Sequence, residues 1–225
     1  MRLLSPLEAR VLGVLVEKQS TVPDTYPMSL NGLVGGSNQK TARQPVMEAA
    51  PDEVMAALDG LKGLSLVFEG SGSRVVKFEH NMGRVLHVPS QAVALLAVLM
   101  LRGPQTSAEL RLNSERLHRF VDISSVEGFL DELAAKERPL VLKLALAPGA
   151  REARWAHLLC GEVAQEAFVQ NSEAGGSGAG IGTAISIGEL ASLRAEQTRL
   201  AGELEALREQ VRRMAQELGM TQPQS

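Results

Sequence analysis

The chain has 225 residues, of which 44% are hydrophobic, 22% are charged and 3% are aromatic. This length suits one large domain or two small ones that each bury a core. With 23 basic and 26 acidic residues, the formal charge of −3 gives no support to a surface built for nucleic acid. The scarcity of aromatic residues argues against a stacking platform for single strands. We find no secretory signal or membrane span, and therefore expect a soluble, cytoplasmic protein.

The first region, residues 1–88, opens with a predicted helix. Ser5 can cap this helix, and Glu8 lies three residues later, which is the spacing of a capping box. A second, short helix is predicted over residues 30–34. The glycine pair that follows is expected to end it.

A third helix is predicted over residues 51–63, with Gly63 as its carboxy-terminal cap. Two β-prone runs then follow, at residues 64–69 and 74–79, on either side of a Gly-Ser sequence. Such a pair of runs predicts a β-hairpin. The order of elements in this region is therefore helix, helix, helix and hairpin.

The second region, residues 89–165, repeats this order. Its predicted elements are an apolar helix over 89–101, a short helix capped by Thr106 or Ser107, a third helix capped by Ser124 or Ser125, and a hairpin formed by 140–146 and 154–159. Two copies of this plan match the winged helix, a helix-turn-helix variant with a β-hairpin wing. The expected fold class is mainly α with small β-hairpins (α+β): tandem winged-helix domains, 1–88 and 89–165, followed by a C-terminal coiled-coil helix.

The carboxy-terminal part consists of a predicted linker and a predicted coiled coil. Residues 166–188 are rich in glycine, which is typical of a flexible linker. Residues 189–220 carry apolar residues at heptad spacing, with opposite charges at the flanking positions. The predicted dimer seam consists of Leu190, Leu193, Gln197, Leu200, Leu204, Leu207, Val211, Met214 and Leu218. The pattern favours a homodimer over the alternative, a single amphipathic helix that packs back on its own domain.

Several long motifs resemble those of the YceH-type family of bacterial proteins of unknown function. These motifs are LEARVLGVLVEKQ (7–19), YPMSLNGLV (26–34), NQKTARQPVM (38–47), RVVKFEH (74–80), MLRGPQTSAELR (100–111) and PGAREARWAHLL (148–159). The resemblance covers roughly residues 3–165. It implies a tandem winged-helix fold, and it brings no established activity or catalytic residues.

Winged helices commonly bind DNA with the third helix in the major groove and the wing on the backbone. The outward positions expected on the third helices are Glu53, Ala56, Ala57, Gly60 and Lys62, near Asp52 and Asp59, in the first copy, and Glu127, Gly128, Asp131, Glu132, Ala135 and Lys136 in the second. Because carboxylates repel phosphates, this composition disfavours the usual docking mode in both copies.

Basic and polar residues elsewhere are the candidates for binding DNA or a protein partner. They are Asn38, Gln39, Lys40, Thr41 and Arg43 in a polar turn, Arg74 and Lys77 in the first wing, and Arg151 and Arg154 in the second. The turn ranks first because such a polar run between two helices has no evident role in a core. The alternative is that these side chains are solvated or form local salt bridges.

No sequence motif supports the hypothesis that the protein is an enzyme. The four histidines lack chelating spacing, and His157 with Cys160 supplies two ligands where a structural zinc needs four. We predict no catalytic residue, metal site or cofactor. The leading hypothesis is a homodimeric, DNA-associated regulator that contacts the duplex backbone, which rests largely on fold analogy. The alternative is a protein–protein adaptor without direct DNA binding.

Overall fold

A computed structural model of the protein describes residues 2–70, 75–146 and 149–162. In this part of the chain the fold is mixed α and β, with seven α-helices and two small antiparallel sheets. The helices are α1 (Pro6–Thr21), α2 (Leu30–Ser37), α3 (Pro51–Gly63), α4 (Met82–Leu86), α5 (Ser90–Arg102), α6 (Ser107–Asn113) and α7 (Ile123–Ala134). The strands are β1 (Met28–Ser29), β2 (Val67–Gly70), β3 (Lys77–His80), β4 (Val141–Lys143) and β5 (Trp155–His157).

The predicted start of α1 is confirmed, but the predicted end of α2 is wrong. The Ser5 hydroxyl accepts a hydrogen bond from the Glu8 backbone N–H at 3.1 Å, and the Glu8 carboxylate accepts one from the Ser5 N–H at 2.7 Å. Helix α2 continues through Gly35 and Gly36 to its last residue. A Cβ atom on Gly36 would lie 2.6 Å from a methyl carbon of Val14, so this glycine lets α2 approach α1 closely.

The end of α3 also differs from the prediction. Gly63 lies inside the helix, and Ser65 adopts the positive φ of 58° that closes it. The Leu66 N–H bonds to the Leu61 carbonyl and the Ser65 N–H to the Lys62 carbonyl, which is the Schellman pattern. The local sequence therefore ends α3 with a serine in a conformation that usually selects glycine.

In the second half, one predicted cap is confirmed and another is wrong. Thr106 caps α6, with its hydroxyl accepting from the Glu109 N–H at 3.2 Å. Helix α7 is capped by Asp122, whose carboxylate accepts from the Ser125 N–H at 2.7 Å. Ser124 and Ser125 are both helical, because an aspartate two residues earlier supplies a charged acceptor at the positive end of the helix dipole.

The sheets follow the same pairing scheme in both halves. In the first half the strand order is β1-β3-β2, and β1, which was not predicted, pairs through Met28 with Phe78. In the second half β4 pairs with β5, and Gln105 forms an isolated bridge with Trp155. Both hairpins are present but shorter than predicted, and the short helix α4 was not predicted.

Helix α5 is buried along most of its length. All ten residues from Ala92 to Leu101 are buried, and α5 packs against α1 on one side and α6, α7 and β5 on others. Consequently one hydrophobic cluster runs through both halves. The predicted domain boundary at residue 88 stays a prediction. None of the described helices combines the length and hydropathy needed to cross a bilayer.

A buried ion pair fastens the connection between α2 and α3 to α1. Arg43 lies in this connection, and its guanidinium contacts both carboxylate oxygens of Glu17 at 2.5 and 3.2 Å. The side chain of Arg43 has no exposed surface, and its Nε donates to the Gly36 carbonyl at 3.1 Å. The Gln44 N–H extends the contact by donating to the Leu101 carbonyl of α5 at 2.8 Å.

A second buried arginine, Arg10 of α1, holds the two ends of the same connection. Its guanidinium donates to the Ser37 carbonyl at 3.1 Å and to the Pro45 carbonyl at 2.6 Å. Burial, and then the nearby charge of Arg43, lower the pKa of Arg10 to about 10, so it remains a cation at neutral pH. Two cations thus lie inside this part of the fold, and they are matched to backbone carbonyls and to one carboxylate.

The close approach of α1 and α2 predicts opposite effects for the two neighbouring glycines. Gly36→Ala places a methyl group against buried Val14, and overpacking of this kind costs about 1–3 kcal/mol. Gly35→Ala is the matched control, because its Cβ would meet nothing within 4 Å, and helix propensity should raise stability by about 0.5–1 kcal/mol. Urea unfolding of both variants checks this. Equal stabilities would contradict the close packing.

The Arg43–Glu17 pair predicts a pH-dependent loss of stability in Arg43→Met. Burial would raise the pKa of Glu17, but Arg43 outweighs this and holds that pKa below its ordinary value. Removing Arg43 leaves the partly buried Glu17 carboxylate with only the longer contact of Lys18, at 3.4 Å, which should cost up to about 3 kcal/mol near neutral pH.

The wild-type pair is fully stabilising above the unfolded pKa of Glu17 and loses its contribution as pH falls through the folded pKa. In Arg43→Met the pKa of Glu17 rises instead, so the deficit should shrink between pH ~6 and pH ~4. Urea unfolding at several pH values measures this. Lys40→Met, an exposed control, should change stability by less than about 0.5 kcal/mol. A pH-independent deficit would contradict the assignment.

Candidate functional site

The polar turn after α2 is held together by its own side chains. The Asn38 side chain accepts from the Ala49 N–H at 2.8 Å and donates to the Ala49 carbonyl at 2.9 Å. Gln39 donates to the carbonyl and hydroxyl of Thr41, at 3.0 and 3.2 Å. The side chains of Lys40 and Thr41 are exposed. The premise that this polar run has no role in packing is therefore wrong for Asn38.

The same premise is wrong for Arg43, whose guanidinium is enclosed with Glu17. The structure thus separates the predicted residues of the turn into two groups. Asn38 and Arg43 face inward and organise the connection, whereas Lys40 and Thr41 face solvent. Only the outward group can reach a partner without rearrangement of the fold.

Of the two cations predicted in the first hairpin, the structure describes Lys77. Lys77 is half-buried in β3, where it pairs with Ser29 on one side and Gly70 on the other. Arg74 lies outside the described residues. On the described part of the hairpin, Phe68 is 43% exposed. Its surface is therefore partly apolar.

In the second hairpin, the two predicted arginines differ. Arg151 is exposed. Arg154 forms a forked ion pair with Glu109, at 3.0 and 3.1 Å, and also donates to the Pro104 carbonyl at 2.9 Å. Glu109 is the capping-box residue of α6, so Arg154 ties the hairpin to the start of that helix. The alternative given above, that these basic residues form local salt bridges, therefore holds for Arg154.

The outward faces of α3 and α7 carry carboxylates. The exposed residues are Asp52, Glu53, Ala56 and Asp59 on α3, and Glu127, Gly128, Asp131 and Glu132 on α7. The one lysine on this part of α3, Lys62, is bound to Asp59 at 2.9 Å and to Glu69 at 2.8 Å. Ala57, expected to be exposed, is buried against α1 and α2 in the core.

A basic and apolar turn lies between α6 and α7, with Arg111 beside it in the last turn of α6. Arg111, Arg116 and Arg119 are exposed, and no ion pair involves them among the described residues. Val121 is 86% exposed, and its carbonyl accepts from the Arg111 guanidinium at 3.1 Å. No sequence signal distinguished Val121 from a core residue, because its exposure depends on where α7 begins.

The remaining candidates concern metal binding and dimerisation. Burial lowers the pKa of His157 to about 4 and, with a contribution from Glu8, raises that of Cys160 to about 11. Among the described residues, no three potential ligands come together to hold a metal ion. The predicted linker and every residue of the predicted dimer seam lie outside the described residues.

Comparison with known proteins identifies the family. Proteins named UPF0502 are 63% identical over 220 residues in Burkholderia cenocepacia and 66% identical over 220 residues in Burkholderia multivorans, covering 98% of this chain and 91% of each relative. Another, from Burkholderia ambifaria, is 64% identical over 201 residues, which is 89% of this chain and 83% of the relative. The assignment to the YceH-type family, as a named family, stays a prediction. A family model described as "Protein of unknown function, DUF480" matches residues 4–150, and the chain belongs to this family.

Proposed function

We propose that the chain is a tandem winged-helix protein that acts as a protein–protein adaptor. The order α1, β1, α2, α3, β2, β3, with β3 central in its sheet, supports the winged-helix interpretation of the first copy. The second copy has the order α5, α6, α7, β4, β5, and the Gln105–Trp155 bridge corresponds to the β1–β3 pairing. The proposal includes a homodimer formed through the predicted seam.

The single observation that carries the adaptor proposal is the acidity of the outward faces of α3 and α7. In the usual docking mode of a winged helix, the third helix lies in the major groove between two rows of phosphates. Asp52, Glu53, Glu127 and Asp131 would there face like charge in a site that loses water. The same carboxylates suit a partner protein that presents lysine or arginine, because charge complementarity speeds encounter and excludes wrong partners.

The arrangement of cations supports the adaptor over the DNA-associated regulator, which reverses the order favoured by the sequence. Arg43 and Arg154 were two of the proposed phosphate contacts, and both guanidiniums are engaged by carboxylates within the fold. Releasing Arg43 to a phosphate would leave Glu17 with only the contact of Lys18 at 3.4 Å, and releasing Arg154 would break the ion pair of Glu109. The exposed cations that remain are spread over both copies and do not form one stripe along a helix.

Site-specific photocrosslinking in cells tests the adaptor proposal. A benzoyl-phenylalanine at Ala56 or Gly128, both exposed, should give a protein adduct of defined mass. Adding Glu127→Lys and Asp131→Lys should abolish the Gly128 adduct, because these carboxylates lie one turn apart on the same helix face.

Two controls make that experiment specific. The same photo-reactive residue at exposed Asp24 should give no such adduct, and Glu152→Lys, an equal charge change outside α7, should leave the Gly128 adduct intact. Adducts that persist after reversal of the α7 carboxylates would contradict the proposal. So would the absence of protein adducts at both Ala56 and Gly128.

A second candidate function, backbone contact with duplex DNA, is favoured by the basic turn between α6 and α7. Arg111, Arg116 and Arg119 are exposed there. Lys40 and Arg151 add exposed cations elsewhere on the described surface. Contacts of this kind would give affinity without sequence specificity, and two linked copies would raise the effective concentration on neighbouring sites.

Fluorescence anisotropy with mixed duplex fragments at several salt concentrations tests this second candidate. If the duplex is bound, Arg116→Ala and Arg119→Ala should each reduce the salt slope by about 0.9 for every phosphate contact that is lost. Lys62→Ala is the control and should leave the slope unchanged, because its ammonium is held by Asp59 and Glu69. No binding even at low salt would exclude the DNA candidate.

A further inference from the structure

A cavity of about 410 Å³ lies where the two copies meet. The first copy contributes the end of α1 and the segment from His80 to Val88, and the second contributes the start of α5 and Leu117. Sites for small molecules occupy roughly 300–1,000 Å³ and combine apolar walls with a few polar groups. The size and position of this cavity therefore suit a ligand that touches both copies at once.

The cavity has a mixed lining, in which valine, alanine and leucine side chains alternate with polar groups such as Ser20 and Ser90, and its one charged group is a cation. Val16 and Val93 are buried in its floor, and Val88 and Leu117 are half-buried beside them. Arg84, on α4, is exposed at its edge, and no ion pair involves it among the described residues. Burial lowers the pKa of His80 to about 4, so this imidazole is neutral at physiological pH. The cavity consequently carries a net positive charge.

Beside this cation, hydrogen bonds join Met82, His80 and Gln19 and leave the amide N–H groups of Gln19 as donors. The Met82 N–H donates to Nδ1 of His80 at 3.4 Å, so the imidazole proton lies on Nε2, which donates to the side-chain amide oxygen Oε1 of Gln19 at 2.7 Å. The Tyr26 hydroxyl holds the His80 backbone by accepting its N–H at 2.8 Å. With its oxygen occupied in this way, the exposed Gln19, which lines the cavity, keeps two amide N–H donors for which no acceptor occurs among the described residues.

We propose that this cavity binds a small organic carboxylate with an apolar body. The carboxylate would be held by the Arg84 guanidinium and the Gln19 amide, a pairing in which the charge-assisted bonds supply the orientation. The aliphatic or aromatic body would lie against Val88 and Val93 and remove their surface from water. This is a ligand site separate from the acidic faces of α3 and α7, so it does not rest on the adaptor proposal.

Titration of the full-length protein with phenylacetate, benzoate and isocaproate, followed by methyl NMR, tests the site. We expect saturable binding that shifts the methyl signals of Val88, Val93 and Leu117. The corresponding uncharged amides, such as phenylacetamide, should have an affinity lower by about tenfold or more, because they lose the charge-assisted bonds. The proposal is overturned if none of the three carboxylates shifts these signals, or if the amides bind equally well.

A pair of matched variants assigns the contact to Arg84. Arg84→Gln removes the exposed cation at the cavity edge and should weaken carboxylate binding by about tenfold or more, while its methyl spectrum without ligand confirms the fold. Arg116→Gln removes another exposed arginine outside the cavity and should bind like the wild type. Unchanged affinity in Arg84→Gln, or an equal loss in Arg116→Gln, would refute the assignment.

Discussion

The contact between α1 and α5 is the constraint on which the rest of the structure depends. Helix α5 is apolar on every side, and such a helix is stable only when other elements surround it. Helix α1 covers it from the first half of the chain, and Gly13 allows the approach, because a Cβ there would lie 3.0 Å from the side chain of Leu101. The two halves of the described chain therefore share one core.

This shared core explains why several charged residues turn inward. The connection between α2 and α3 crosses the junction and needs partners for its carbonyls there. Arg10 and Arg43 supply them, and Glu17 balances the charge. Arg102, at the end of α5, is a third arginine near these charges. Its pKa lies below the ordinary value because burial and the charge of Arg43 lower it more than the charge of Glu17 raises it. The chain uses these cations for packing, and the outward faces of the third helices remain negative.

Local signals in the sequence predicted the elements well, and contacts distant in sequence limited the rest. The capping box at Ser5 and the apolar run of α5 are local patterns, so they could be predicted. Strand β1 is two residues long and exists through its pairing with β3, some fifty residues later, which leaves no periodic pattern. The roles of Arg43 and Arg154 depend on Glu17 and Glu109, and no spacing rule links those pairs. Sequence alone therefore overestimated the free cations.

The position of the proposed carboxylate site determines how carboxylate binding would be coupled to the proposed binding of a protein by α3 and α7. A ligand changes a distant surface only if it binds two arrangements of the protein with different affinity. The cavity has walls from both halves of the described chain, whereas the acidic faces of α3 and α7 each belong to one half. A carboxylate bound between Arg84 and Val93 would therefore act on the separation of the two halves. Because α1 and α5 are close-packed, any change in this separation would be small. A partner protein would detect it only by contacting the acidic faces of α3 and α7 at the same time.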